Sequence, residues 1–213
     1  MSDLSAQFRQ SQCMRKVSVI FVSGVLCFAA GCSPRQYLTR RLATELISGS
    51  DAFRATQRFW LRTGVVSNKD YISPEYLVMQ RRGWITGATA GCPAEISPPP
   101  CWDVTLTPAG VDAFHDLIAG NAAESNYFSV PAAKRQLIAV TGISKGEQLA
   151  QADFLWKWVA LNPVGEALYA SDVQFTSTVG FKRYDDGWRV IEGNGSRPDQ
   201  SLDDALKTAQ PAQ

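Results

Sequence analysis

The chain has 213 residues, with 21 Lys and Arg against 20 Asp and Glu, and a formal net charge of +1. Hydrophobic residues make up 45% and charged residues 19%, which is typical of a globular protein and excludes a largely disordered chain. The nearly neutral charge gives no general case for binding nucleic acid.

A short apolar segment near the amino terminus has the pattern of an export signal. Arg15 and Lys16 precede the run V-S-V-I-F-V-S-G-V-L-C-F-A-A-G-C, which ends at Cys32. Its apolar stretch of about fifteen residues is shorter than the roughly 20 that a membrane-spanning helix needs, and small residues precede Cys32 as at a cleavage site. The segment therefore predicts a chain that leaves the cytoplasm. Met14 directly precedes the basic pair and is an alternative start to Met1.

The residues A-A-G-C at positions 29–32 resemble the lipobox of bacterial lipoprotein precursors. The resemblance implies that residues 1–31 are removed, that Cys32 receives a diacylglyceryl group and that the mature protein begins there. Ser33 stands where an aspartate would retain a Gram-negative lipoprotein in the inner membrane, so the resemblance implies the outer membrane, facing the periplasm. Ala29 occupies a place where the family prefers a leucine-like residue. An ordinary signal peptide cut near Ala30, or an uncleaved anchor, is the alternative.

Positive charge is concentrated in the part of the chain that follows the lipobox. Residues 32–91 carry nine Lys and Arg against four Asp and Glu, whereas residues 92–213 carry nine against fifteen. Such cations can face anionic lipid phosphates, each contributing up to about 1 kcal/mol near the surface. The favoured alternative is a solvated, basic helix face. The arginines concerned are Arg35, Arg40, Arg41, Arg54, Arg58 and Arg62.

Two amphipathic helices are predicted directly after the lipobox. The first has leucines at four-residue spacing and ends in a Ser-Gly-Ser tripeptide at residues 48–50. Its leucines are Leu38, Leu42 and Leu46. Ser50 or Asp51 is predicted to cap the second, with Phe53, Trp60 and Leu61 on one face and Gly64 as its stop.

Residues 73–118 alternate between helix and strand signals. Ser73-Pro74 begins a short helix, Gly83 ends it, and a strand follows at Trp84-Ile85-Thr86. After a Gly- and Pro-rich loop, a second strand leads through L-T-P-A-G into another helix. This order resembles the wing of winged-helix domains. For an exported chain, the resemblance implies a scaffold that contacts protein or envelope polymer rather than DNA.

The cysteine count predicts one disulfide. Cys13 and Cys27 lie in the predicted leader and Cys32 would be acylated, which leaves Cys92 and Cys101. An even remainder in an oxidising compartment favours a bridge between them. The intervening P-A-E-I-S-P-P-P is too rich in Pro for regular structure, so the bridge would order this loop. A metal site is the alternative, but two thiolates without a nearby histidine leave the coordination incomplete.

The second half of the chain has the alternation of an antiparallel meander. Residues 136–143 and 148–160 flank a turn at Ser144-Lys145-Gly146-Glu147, and residues 173–184 and 188–191 flank Asp185-Asp186-Gly187. About four strands are therefore predicted. The polar carboxyl-terminal segment is compatible with a short helix at residues 202–206 or with a frayed tail.

An aromatic stripe marks the second predicted strand of this meander. Phe154, Trp156 and Trp158 occupy every second residue and so share one face. This face is predicted to be core, because aromatic faces of strands are usually buried beneath helices. The alternative is the wall of a pocket for an apolar ligand.

The sequence contains no convincing catalytic pattern. His115 is the only histidine, no G-x-S-x-G elbow is present, and the two remaining cysteines are predicted to be oxidised. No metal site follows from this residue set. Carboxylate pairs suited to glycan hydrolysis exist in principle, but turn and tail positions explain most of them. The pairs are Asp185 with Asp186, Asp203 with Asp204, and Asp153 with Glu166.

The sequence thus predicts an α+β protein with a removed leader at residues 1–31, a helical, winged-helix-like subdomain at 32–120, an antiparallel β subdomain at 121–195 and a polar tail at 196–213. The predicted function is a non-catalytic interaction or accessory module, anchored to the membrane through lipid and contacting an envelope protein or polymer. A carrier of a small apolar ligand is the second interpretation and a glycan-active enzyme is the third. No cofactor and no nucleic-acid partner is predicted.

Overall fold

A curled antiparallel sheet forms the centre of the molecule. The computed structural model describes residues 37–96, 98–118, 126–146, 148–193 and 201–212. The strands of this sheet are β1 (Thr56–Arg62), β5 (Tyr127–Lys145), β6 (Leu149–Ala160), β7 (Gln174–Tyr184), β8 (Gly187–Val190) and β9 (Gln210–Pro211). They pair in the order β1-β5-β6-β7-β8, and the short β9 pairs with β7.

Irregular pairing bends the long central strands. The register shifts in the β5–β6 pair between Leu137 and Ala139 and again between Val140 and Gly142, and the β1–β5 pair shifts once. An extra residue in one strand of an antiparallel pair bends that strand and increases its twist. These irregularities explain the curl of the sheet, whose inner face carries both hydrophobic cores.

Three helices cover one part of the inner face. They are α1 (Arg40–Ser48), α2 (Asp51–Arg54) and α7 (Leu202–Lys207). The Thr39 hydroxyl caps α1 by accepting from the Leu42 N–H at 3.2 Å. The predicted first helix is therefore present, but it begins at Arg40 and not at Pro34, so Leu38 precedes it. We call the cluster beneath these helices the first core. Its members include Leu38, Ile47, Phe53, Phe154, Trp156, Phe181, Trp188 and Leu202.

A second unit is inserted between β1 and β5. It consists of β2 (Gly64–Ser67), α3 (Asn68–Tyr71), α4 (Pro74–Arg81), β3 (Ile85–Ala90), β4 (Cys101–Leu106) and α5 (Pro108–Ile118). Its strands form a separate antiparallel sheet in the order β2-β4-β3. Together with α6 (Pro163–Leu168) and the β1 side of the large sheet, this unit forms the second core. Its members include Phe59, Leu61, Tyr76, Met79, Val104, Phe114, Val130 and Val164.

Two glycines allow helices to approach the neighbouring main chain. A Cβ atom on Gly110 of α5 would lie 1.9 Å from the Trp84 carbonyl oxygen, and one on Gly165 of α6 would lie 1.9 Å from the Ala132 carbonyl oxygen. No side chain can tolerate these separations, so only glycine permits this packing. The glycine of L-T-P-A-G therefore sets how closely α5 packs beside the start of β3.

The predicted disulfide is confirmed. The sulfur atoms of Cys92 and Cys101 are 2.05 Å apart. Cys101 is fully buried at the start of β4, in register with Ser67 of β2 and Ala90 of β3. Cys92 follows β3 by two residues, so the bridge ties the Pro-rich loop to the central strand of the small sheet.

The mixed α+β class is confirmed, with more residues in strands than in helices. The predicted helix at Ser73-Pro74 is α4, which the Ser73 hydroxyl caps, and Gly83 follows it with a φ of 68°. Both predicted hairpins are present as β5–β6 and β7–β8. The helical alternative for the carboxyl-terminal segment is correct, because Leu202 and Leu206 of α7 are buried in the first core.

The prediction of a long second helix through Phe53, Trp60 and Leu61 is wrong. Helix α2 ends at Arg54, the next residue is extended, and β1 begins at Thr56. Residues 53, 60 and 61 are seven and eight positions apart, a spacing that suits a helix face. The buried and exposed residues of β1 instead alternate with the period of a strand.

Two further boundaries differ from the predicted ones. Strand β5 begins at Tyr127 rather than Gln136 and includes Pro131, which lies opposite Arg58 next to the register shift. Because β1 pairs with β5 along its length, the predicted helical and β subdomains share one sheet. The described residues of Pro34–Gln213 accordingly belong to a single compact unit.

Candidate functional site

A groove of about 330 Å³ runs along β1, at one edge of the large sheet. Strand β1 pairs with β5 on one side, and no other described strand pairs with it. Residues of α3, the start of α4 and the end of α6 complete the groove, which we call the edge groove. Its lining includes Arg58, Trp60, Arg62, Asp70, Glu75, Tyr76, Tyr127 and Tyr169.

The alternation of β1 directs Trp60 away from the core. Phe59 and Leu61 are 6% and 0% exposed within the second core, whereas Trp60 between them is 59% exposed. An exposed tryptophan suits recognition, because the indole presents a large apolar surface together with one hydrogen-bond donor. Trp60 is therefore the first candidate for contact with a partner.

Tyr76 closes one end of the free edge. The Arg62 N–H donates to Tyr76 Oη at 2.8 Å, and the Tyr76 hydroxyl donates to the Arg62 carbonyl oxygen at 2.9 Å. One hydroxyl thus pairs both main-chain groups of an edge residue in place of a neighbouring strand. Burial raises the pKa of Tyr76 to about 12, so the hydroxyl stays protonated at neutral pH.

Beside the Tyr76 cap, no described strand pairs with the outer edge of β1. Main-chain groups along a strand alternate in direction, so the N–H and C=O of Trp60 face the same side as those of Arg62. That side is the edge groove rather than β5. The groove therefore combines an exposed indole with main-chain groups that can pair with an added strand.

The two arginines of β1 are held against β5. Arg58 Nη2 donates to the Ser129 carbonyl oxygen at 2.9 Å, and Arg58 Nε contacts Ser129 Oγ. The guanidinium carbon of Arg62 lies 5.4 Å from the centre of the Tyr127 ring, within cation–π range. These contacts fix two positive charges on the strand side of the groove, while Asp70 and Glu75 come from α3 and α4.

The residues of the predicted aromatic stripe pack within the protein. Phe154 and Trp156 are 0% and 2% exposed. Trp156 Nε1 donates to Ser177 Oγ at 3.0 Å, and its ring stacks on Phe175 with centroids 4.8 Å apart. Trp158 is half-buried, and its ring centre lies 5.4 Å from that of Trp156. The protein's own side chains fill this face, which favours the core over the ligand interpretation.

An arginine that no sequence pattern singled out lies beside this stripe. The Arg135 guanidinium carbon is 4.7 Å from the centre of the Trp158 ring and 5.8 Å from that of Trp156. Its Nη1 donates to the Ala52 carbonyl oxygen at 2.8 Å, and burial lowers its pKa. Tyr169 of the edge groove packs on Trp158 at 4.8 Å, so Arg135 and Trp158 join the groove to the first core.

Two of the carboxylate pairs considered for catalysis have local structural roles. At the β7–β8 turn, Asp186 Oδ2 is 2.6 Å from Arg189 Nη2. At the start of α7, Asp204 Oδ2 accepts from the Ser201 hydroxyl at 2.6 Å, and the same hydroxyl caps the helix. Their neighbours Asp185 and Asp203 lie in the same turn and the same first helical turn.

The remaining chemical candidates are dispersed. Asp153 is on β6 and accepts from the Thr178 hydroxyl at 2.6 Å, whereas Glu166 lies in the first turn of α6. His115 is exposed on α5, with its Nδ1 2.9 Å from Asp116 Oδ1. Within the described ranges, no group of three or more His, Cys, Asp and Glu side chains is placed to hold a metal ion.

The predicted lipidation site, Cys32, lies outside the described residues. Among the helices of the described part of the chain, none has the length and apolar character needed to cross a membrane. Comparison of the chain with family models, curated proteins and solved structures found no match.

Sequence reasoning missed the edge groove because it placed Trp60 on a helix. The segment T-Q-R-F-W-L-R contained the necessary signal, since its apolar residues at 59 and 61 alternate with 58, 60 and 62. An exposed tryptophan follows directly from that alternation. The contribution of Tyr76, Tyr127 and Tyr169 depends on tertiary packing and has no local signal.

Proposed function

We propose that this chain is a lipid-anchored protein of the cell envelope that binds an extended segment of a partner protein in the edge groove, without catalysing a reaction. The observation that carries the proposal is a 59% exposed Trp60 on a free strand edge. Trp, Tyr and Arg are the residues that most often dominate binding energy at interfaces, and the groove contains all three.

Strand addition suits this groove. The main chain of Trp60 can donate and accept hydrogen bonds to an extended partner, as in other complexes formed at a sheet edge. The Tyr76 cap at Arg62 would set where the added strand ends. The arginines of β1 are positively charged, whereas Asp70 and Glu75 are negatively charged. This arrangement would orient a bound segment that has both acidic and basic side chains.

The anchor part of the proposal rests on the lipobox resemblance. Acylation of Cys32 would attach the folded part to the bilayer through residues 33–39, which precede α1. Ser33 supports an outer-membrane location facing the periplasm. A tether this short keeps the edge groove near the membrane, where envelope proteins are available as partners.

The inserted unit fits the same function as a wing-like scaffold. Support comes from the order of α4, β3, the disulfide-pinned loop, β4 and α5, which is the order that the winged-helix resemblance implies. In this role the unit presents α3 and α4 beside β1 and so forms one wall of the edge groove. It serves contact with protein or envelope polymer rather than with DNA.

The groove is tested by photo-crosslinking in intact cells. A photoreactive amino acid at position 60 should give one discrete crosslinked protein, whereas the same probe at Val159, which is 36% exposed on β6, should not. Trp60→Ala combined with a probe at position 58 should reduce that product, because the indole is removed. Identical products from positions 60 and 159, or none from position 60, would contradict the groove. A product digested by glycan hydrolases instead of proteases would assign the groove to an envelope polymer.

The anchor is tested by metabolic labelling with a fatty acid. Cys32→Ala should abolish incorporation of the label and release the protein from the membrane fraction. Cys27→Ala removes another cysteine of the same segment and should leave labelling unchanged. Equal labelling of Cys32→Ala and the parent would overturn the anchor and leave the edge groove to be judged by crosslinking alone.

A further inference from the structure

A second pocket lies beside the first core, at the β8 side of the large sheet and away from β1. Its volume is about 450 Å³, and we call it the hairpin pocket because Gly146 and Gln148 of the β5–β6 connection, Arg183 of β7 and Trp188 of β8 line it. Residues just before α1 form another wall. Its lining includes Tyr37, Leu38, Lys145, Gln148, Arg183 and Trp188.

Two cations of this pocket form no ion pair with another described residue. Lys145 at the end of β5 and Arg183 near the end of β7 are both exposed, and neither belongs to a salt bridge within the described ranges. The Lys145 ammonium lies 5.9 Å from the centre of the Tyr37 ring. Of the acidic side chains at the neighbouring turn, Asp186 is already paired with Arg189 at 2.6 Å.

Trp188 adds a buried donor that lacks an acceptor. It is 7% exposed, and its Nε1 has no hydrogen-bond partner among the residues that the structure describes. The other deeply buried indole of the first core, Trp156, donates to Ser177 Oγ at 3.0 Å. Buried donors are nearly always paired, so an unpaired one beside a pocket with two cations points to an external acceptor.

The geometry points to a site for a phosphate group, which we propose is that of a phospholipid headgroup. A phosphate offers several acceptor oxygens for an ammonium, a guanidinium and an indole N–H, and its charge balances the pocket. The choice of a lipid rests on the proposed anchor. Tyr37 lies five positions after Cys32, and an extended chain of that length spans at most roughly 18 Å, so an acylated Cys32 keeps the pocket within reach of headgroups.

The proposal has a direct spectroscopic test. The full chain, isotopically labelled and held in a phosphate-free maltoside detergent, is titrated with short-chain phosphatidylglycerol and separately with inorganic phosphate. The indole N–H resonance of Trp188, assigned with Trp188→Phe, should shift in a saturable way with the lipid. Lys145→Gln and Arg183→Gln should each weaken this binding by about tenfold, the usual effect of losing one charge-assisted contact. Lys134→Gln, an exposed lysine outside the pocket, should leave it unchanged.

The two sources of phosphate give different outcomes. Binding of the lipid more tightly than inorganic phosphate supports the proposal. Binding of inorganic phosphate alone assigns the pocket to a soluble ligand and overturns the lipid source, and no shift with either probe overturns the site. Cys32→Ala separates this inference from the anchor, because an unacylated chain should still shift its Trp188 resonance with the short-chain lipid.

Discussion

The two cores share one sheet but are built in different ways. The first core lies under helices from both ends of the described chain, and large aromatic rings fill it, among them Trp156, whose indole N–H donates to Ser177. The second core depends on close approaches of helices to main chain at Gly110 and Gly165. One strand, β5, contributes Val130 to the second core and Val140 to the first. The two cores therefore differ in composition, but they are coupled through β5, which contributes to both.

The largest expected effect comes from truncating the aromatic centre of each core. Trp156→Ala in the first core and Phe114→Ala in the second should each lower the free energy of unfolding by about 3–5 kcal/mol, because each leaves a cavity that neighbours fill incompletely. If β5 couples the cores, calorimetry should show a single unfolding transition at a lower temperature in both variants. Val159→Ala on the exposed side of β6 should change stability by less than about 0.5 kcal/mol.

Two results would break this comparison in different ways. Two separate transitions in either variant would show that the cores unfold independently. A Trp156→Ala protein that melts within a degree or two of the parent, yet no longer takes up an apolar probe, would make Trp156 a pocket wall. The carrier interpretation would then replace the interaction module.

Removal of the disulfide should have an effect of intermediate size on stability, and it should act mainly on the inserted unit. Replacing Cys92 and Cys101 together by serine removes a cross-link between positions nine apart in the sequence and should lower stability by about 2–3 kcal/mol in the chain-entropy model. Because the bridge lies in the small sheet, hydrogen exchange should accelerate first in β3 and β4 and least in β6 and β7. Equal acceleration in both sheets would contradict a local effect, and free thiols in protein isolated from the envelope would contradict the bridge.

Local patterns predicted the first core better than the second, for a physical reason. Within the meander, β5 and β6 and also β7 and β8 are joined by short turns such as Asp185-Asp186-Gly187, so alternation and turn residues specify both the element and its partner in each hairpin. Strand β1 pairs with β5 across the whole inserted unit, and nothing near Trp60 in the chain indicates that partner. The helix prediction there was wrong because a few apolar residues can fit both the helical period and the strand period.

The candidate sites also divide into features that local patterns predict and features that they do not. Burial of Phe154 and Trp156 was predictable from alternation alone, and the cysteine pair was predictable from counting. The edge groove and the hairpin pocket assemble side chains from distant elements, such as Trp60 with Tyr169 or Tyr37 with Trp188. Such assemblies depend on the curl of the sheet, which arises from register shifts that have no clear sequence signal.

The smallest expected effect concerns the cap at the end of β1, and it has a pH signature. Tyr76→Phe removes the hydroxyl that pairs the Arg62 N–H and C=O, and we expect a loss of about 1 kcal/mol at pH 8. In the parent, an unfolded Tyr76 loses its proton near pH 10, whereas burial holds its folded pKa at about 12. The neutral hydroxyl therefore contributes stability that is fully present below pH 10 and is lost as the pH rises towards 12. Denaturant unfolding at pH 8, 10 and 11 should show a shallower decline in Tyr76→Phe than in the parent, because the other tyrosines titrate equally in both. Parallel declines would mean that folding does not raise the pKa of Tyr76, and would contradict a buried, protonated hydroxyl as the cap of Arg62.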